Sequence, residues 1–128
     1  MSYYFAKTVK APFAETIDRV TAALKERGFG VLTTIDVKAT MKAKRDGDFR
    51  PYTILGACNP SFAYKALTAE NKIGTMLPCN VVVQEVKPGE VEVAAVDPIA
   101  SMRGVENVEL ASIAGDVREQ LRQMVESL

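Results

Sequence analysis

Two thiols and two carboxamides stand side by side twice in this chain, as Ala57-Cys58-Asn59 and as Pro78-Cys79-Asn80. A cysteine becomes a nucleophile, a redox centre or a soft-metal ligand once it is a thiolate. An asparagine amide both donates and accepts hydrogen bonds, so it can orient a bound group. Cys58, Asn59, Pro78, Cys79 and Asn80 are therefore the candidate ligand-binding residues, and Cys58 is the candidate catalytic one. The chain has no histidine, so a Ser-His-Asp triad, a Cys-His pair and a His-bound zinc cannot be assembled from it. Cys58 and Cys79 are too far apart in sequence for a CxxC pair and too few for a zinc ligand set. Two thiols with Met76 or Met102 could hold Cu(I), but no ligand spacing repeats and methionine usually fills cores. No metal and no cofactor are expected.

Each candidate also has a structural reading. Cys58 lies just before a helix opened by Asn59 and Pro60. The positive end of that helix would favour a thiolate, yet a small apolar side chain packed beside Gly56 and Ala57 accounts for it as well. Cys79 leads into Val81-Val82-Val83 and reads as core. Asn59 is explained as a helix cap. Asn80 has no such local account, because asparagine is disfavoured inside a strand; a loop, a second subunit or a ligand would each satisfy its amide. The two thiols meet only if the strands that carry them run antiparallel; a parallel pair with a crossover helix keeps them apart, and a disulfide is not expected.

The elements that must position these residues follow from periodicity. Tyr3 to Val9 alternates as a strand, with Tyr3, Phe5, Lys7 and Val9 on one side and Tyr4, Ala6 and Thr8 on the other. Pro12 opens a helix whose apolar face is Phe13, Ile17, Val20 and Leu24, and Gly28 ends it with a left-handed cap. Gly30 to Val37 is the second strand; Val37 to Arg45 is a short exposed helix carrying Lys38, Lys42, Lys44 and Arg45, a solvated basic face or an anion site. Pro51 to Ala57 is the third strand, and the helix after Asn59 turns Phe62, Ala63, Ala66 and Leu67 inward. Met76 to Val86 and Val91 to Val96 form a hairpin across Lys87-Pro88-Gly89-Glu90. A loop through Met102 and Arg103 reaches Asn107, which caps a last helix on Leu110, Ile113, Val117 and Leu121. Gly115 inside that helix costs up to ~1 kcal/mol against alanine unless a close contact needs it. Tyr4 with Tyr52 and Pro12 with Pro60 share one offset, an echo that a duplicated half or chance explains equally.

The predicted fold is α+β, a two-layer, five-stranded sheet with helices mostly on one face in the order βαβαβαββα. At 128 residues the chain forms one domain, residues 1–128, with 48% hydrophobic and 25% charged residues. Sixteen basic residues balance sixteen acidic ones, so no electrostatic footprint for nucleic acid arises. No apolar run reaches the roughly 20 residues of a membrane span, and Met1 to Lys7 lacks the pattern of a signal peptide. A cytoplasmic protein with reduced cysteines is expected, bound to neither nucleic acid nor membrane.

The segments Y-Y-F-A-K-T-V, G-F-G-V-L-T-T-I-D-V, D-F-R-P-Y-T-I-L-G-A-C-N-P and G-T-M-L-P-C-N-V-V-V, with Asp97-Pro98, resemble in order the DUF302 family, also called TT1751-like proteins. That resemblance covers essentially the whole chain. It implies a small bacterial or archaeal α+β domain that forms a homodimer, and it brings no catalytic residues with it. The expected function is binding of an unidentified small molecule or protein partner at a cleft near the two Cys-Asn motifs. The alternatives are a thiol-dependent redox protein using Cys58 and a purely structural homodimeric module.

Overall fold

A computed structural model describes residues 2–128. Strands β1 (Tyr4–Lys10), β2 (Gly30–Asp36), β3 (Tyr52–Cys58), β4 (Cys79–Lys87) and β5 (Glu90–Val96) form one sheet in the order β1-β5-β4-β3-β2. Every neighbouring pair is antiparallel. Helices α1 (Phe13–Glu26), α2 (Val37–Arg45), α3 (Pro60–Ala69), α4 (Pro98–Ser101) and α5 (Val108–Glu126) complete the α+β fold. Its element order is the expected one with the four-residue α4 added.

One face of the sheet is packed and the other is open. Val9, Val91, Val93, Ala95, Val81, Val83, Leu55 and Ala57 alternate inward and meet Val20 and Leu24 of α1 and Val117, Leu121, Met124 and Val125 of α5. A smaller cluster of Ala66, Ile73, Met102, Leu110 and Ala114 sits where α3 and α5 pass each other. Lys7 shares the inward side of β1, and its Nζ escapes burial by donating to the carbonyls of Glu126 and Leu128. At the end of α1, Gly28 adopts the left-handed conformation (φ +81°) that the sequence pattern requires, and Phe29 is buried beneath it.

Three local expectations need correction. The segment from Met76 to Pro78 is not strand; Ile73–Met76 is a 3-10 turn and β4 begins at Cys79. The loop after Asp97 begins with α4, capped by the Asp97 carboxylate accepting from Ile99 N and anchored by the Arg118–Asp97 pair. The Asp97-Pro98 pair carries the same cap-and-proline chemistry as Asn59-Pro60. The echo between Tyr4 and Tyr52 marks no repeat, since β1 and β2 lie on opposite edges whereas β3 and β4 are neighbours.

Two glycines in this frame behave oppositely. A Cβ on Gly56 would collide with Thr33 Oγ1 and lie 2.7 Å from Pro78 Cγ, so β2 and the residue leading into β4 close over the spot that glycine leaves. A Cβ on Gly115 meets nothing within 4 Å, which removes close packing as the reason for that residue. In denaturant unfolding, Gly115→Ala is expected to raise stability by up to ~1 kcal/mol. Gly56→Ala should lower it by about 1–3 kcal/mol. A neutral Gly56→Ala would contradict the close approach.

Candidate functional site

The register places Ala57 of β3 opposite Cys79 of β4, and Gly56 opposite Asn80. Antiparallel pairing thus brings both Cys-Asn motifs to the same end of the sheet. Cys58 follows Ala57 at the strand end and is half-buried; Cys79 is buried, and both thiols are free. Pro78 follows the cis peptide bond at Leu77-Pro78 and sits beside them.

Cys58, Asn59, Pro78 and Cys79 line one cleft, closed by Phe29 after α1, Phe62 and Ala66 of α3, Met102 after α4, and Leu110, Ile113 and Val117 of α5. Apart from the two thiols, Asn59 is the only polar side chain in that wall. The free space inside is about 40 Å³. Asn80 is not part of it. A strand turns successive side chains to opposite faces, so Asn80 is exposed on the open side of the sheet while Cys79 points into the core. Sequence reasoning grouped the five residues through the two echoing Cys-Asn motifs at element ends. The phase of Cys79, Val81 and Val83 is the signal that separates the last of them.

Asn59 spends its amide on structure. Its Oδ1 accepts from Ser61 N (3.1 Å) and Phe62 N (3.3 Å), and its Nδ2 donates to Arg27 O (3.5 Å). That one side chain starts α3 and ties it to the end of α1. The consequence for Cys58 is direct. Pro60 has no N–H, Ser61 and Phe62 donate to the cap, and Ala63 N donates to Asn59 O at 2.9 Å. The first-turn donors that would stabilise a thiolate at this helix end are therefore already occupied.

Cys79 is held in its neutral form. Burial pushes its thiol up to about 11, and the neighbouring Cys58 sulfur adds to the shift. A thiol protonated throughout the physiological range is an apolar wall group rather than a nucleophile. Among the described residues no three His, Cys, Asp or Glu side chains converge to hold a metal ion. Two of the four basic residues of α2 are engaged within the chain: Lys42 pairs with Asp46 at 2.8 Å and Lys38 donates to Phe49 O.

A family model described as a domain of unknown function, DUF302, matches residues 5–128. The chain belongs to the DUF302 family. Among solved structures it is similar to the uncharacterized conserved protein DUF302 from Bacillus stearothermophilus, with a TM-score of 0.90, 29% identity and 98% of each chain covered. No curated protein matches it. In this DUF302 domain the residues missed by sequence reasoning are the distant wall of the cleft: Phe29, Met102, Leu110 and Ile113. Their apolar character announced burial, but only tertiary packing brings them to the cysteines, Leu110 and Ile113 on α5, Phe29 from the end of α1 and Met102 from the end of α4.

The raised Cys79 thiol has a definite linkage sign. Between the ordinary value of 9.0 and about 11, the unfolded chain loses this proton while the folded domain keeps it. Stability is thus complete below pH 9 and falls as pH rises toward 11, by roughly 2–3 kcal/mol in all. Denaturation of wild type and Cys79→Ala across pH 8 to 11.5 should show this component in the wild type and not in the variant. Parallel slopes would show that Cys79 titrates as an exposed thiol.

Proposed function

We propose that this domain is a non-enzymatic binding module, whose cleft between β3, β4, α3 and α5 takes an apolar group from a small molecule or a protein partner. The observation that carries the reading is the wall itself: sixteen residues from across the fold, apolar except for Asn59 and two thiols, one of them held neutral. A wall without Asp, Glu, Lys or Arg offers no carboxylate or basic anchor, so recognition rests on shape and apolar contact. The thiol-redox alternative is less well supported, because the helix-end donors it needs belong to Asn59.

Size narrows the ligand. A space of about 40 Å³ is well below the roughly 150 Å³ of an apolar cavity that admits benzene. The cleft as it stands receives the tip of an apolar group. Met102 can enlarge it: this buried side chain also borders an outer groove of about 200 Å³, along with Leu110 and Ala114. Methionine repacks readily, so its displacement would join the two spaces.

The same reading makes the domain a cytoplasmic homodimer, and the β2 edge is the surface that suits it. The other edge, β1, carries inward-pointing Lys7, a device that discourages pairing. In β2 only Val31 is even half-buried, with Leu32 67% and Ile35 47% exposed beside two threonines.

Toluene titrated into methyl-labelled protein is expected to shift the Met102 and Ile113 resonances saturably, and Met102→Ala should bind it at least fivefold more tightly. Shifts elsewhere, or none in either protein, would refute the cleft. For the assembly, sedimentation velocity should report a dimer for wild type and a monomer for Leu32→Lys. A wild-type monomer at high protein concentration would refute the dimer.

A further inference from the structure

Asn80 is the residue the cleft leaves over, and the open face of the sheet explains what surrounds it. Register arranges that face in rows across the strands. Ala6, Ala94, Val82, Ile54 and Ile35 form an apolar middle row. Asn80 lies in the row on one side, beside Gly56; Gln84 and Glu92 lie opposite each other in the row on the other side. Over Ala94 and Val82 of the middle row, with larger side chains around them, lies a hollow of about 350 Å³ with tyrosines at its rim. Tyr3 and Tyr4 meet edge to face at 5.0 Å, forming a two-sided aromatic corner.

The charge of the hollow is unbalanced. Among the described residues Glu92 is the only ionisable group in its wall besides the tyrosine hydroxyls, and none of their ion pairs includes it. Its Oε1 accepts from Gln84 Nε2 at 3.0 Å, and Gln84 Oε1 in turn accepts from Arg50 Nε at 2.8 Å. Arg50 itself is held over the Phe49 and Tyr52 rings. This relay orients the Glu92 carboxylate and leaves Oε2 without a protein donor among the hydrogen bonds of the described residues. The Asn80 amide has no hydrogen-bond partner among them either. From strand geometry the two Cα atoms stand roughly 14 Å apart.

We infer that this hollow is a second binding site, for an elongated organic amine. Its ammonium sits at Glu92, its alkyl or aryl body lies over Ala94 and Val82, and a hydrogen-bonding group at the far end meets Asn80. An unpaired carboxylate above an apolar floor selects a cation, and the electron-rich tyrosine faces favour the same charge. An anion of the same shape is rejected by Glu92. The site lies across the sheet from the cleft, so the two proposals fail independently.

Tryptamine and indole-3-propionate share one ring system and carry opposite charges, which makes them the test pair. Titrated into the full nitrogen-15-labelled chain, tryptamine is expected to shift the backbone amides of Asn80, Val82, Glu92 and Ala94 saturably, and indole-3-propionate to leave them in place. Glu92→Gln should weaken tryptamine at least tenfold and Asn80→Ala about threefold, each with an otherwise unchanged amide spectrum. Equal binding of the two probes, full affinity in Glu92→Gln, shifts confined to the cleft, or no shifts on this face would each overturn the inference.

Discussion

The antiparallel pairing of β3 with β4 is the constraint on which the rest depends. With Ala57 opposite Cys79 and Gly56 opposite Asn80, two short motifs far apart in sequence become neighbours at one sheet end. The pairing is tight because Gly56 has no Cβ where Thr33 and Pro78 close in. From there the period of two divides the chemistry. Cys79 joins the helix-covered side and loses its acidity to burial; Asn80, the next residue, is exposed on the open side. One strand therefore serves two unlike surfaces.

The helical layer completes the first surface. Asn59 starts α3 and holds it against the end of α1 through Arg27 O. Asn107 does similar work at α5, accepting from Leu110 N while its Nδ2 donates to Ala69 O at the end of α3. These two caps set the angle at which α3 and α5 pass, and the cleft is the gap left between them. Its chemistry follows from what is absent from its wall. Among the described residues no Asp, Glu, Lys or Arg lines it, and burial keeps the Cys79 thiol protonated.

Much of this was legible in the sequence. The strands showed in their alternation, the main helices in their apolar faces and caps, and the α5 boundary in Asn107. Of the five candidate residues, Cys58, Asn59, Pro78 and Cys79 line one cleft and Asn80 faces the open side of the sheet. The rest was not legible because it depends on relations between distant segments. Strand order decides whether the two thiols share a sheet end, and no local pattern encodes it. Met102 reads as core filler until the 3-10 turn at Ile73–Met76 and the α4 turn bring it over the cleft. Glu92 reads as an ordinary solvent-facing residue until register sets it beside Gln84. Asn80 stands out in the sequence as a polar residue in a strand, but its face follows from the phase of Cys79, Val81 and Val83.

The central claim is that the space beside Cys79 is a small, dry, apolar receptor. A crystal pressurised with xenon, a single apolar atom suited to such a space, tests it most directly. The account predicts a xenon peak between Cys79, Phe62 and Met102, occupied at modest pressure without displacement of α5. Ordered water hydrogen-bonded in that position, with xenon excluded, would contradict it.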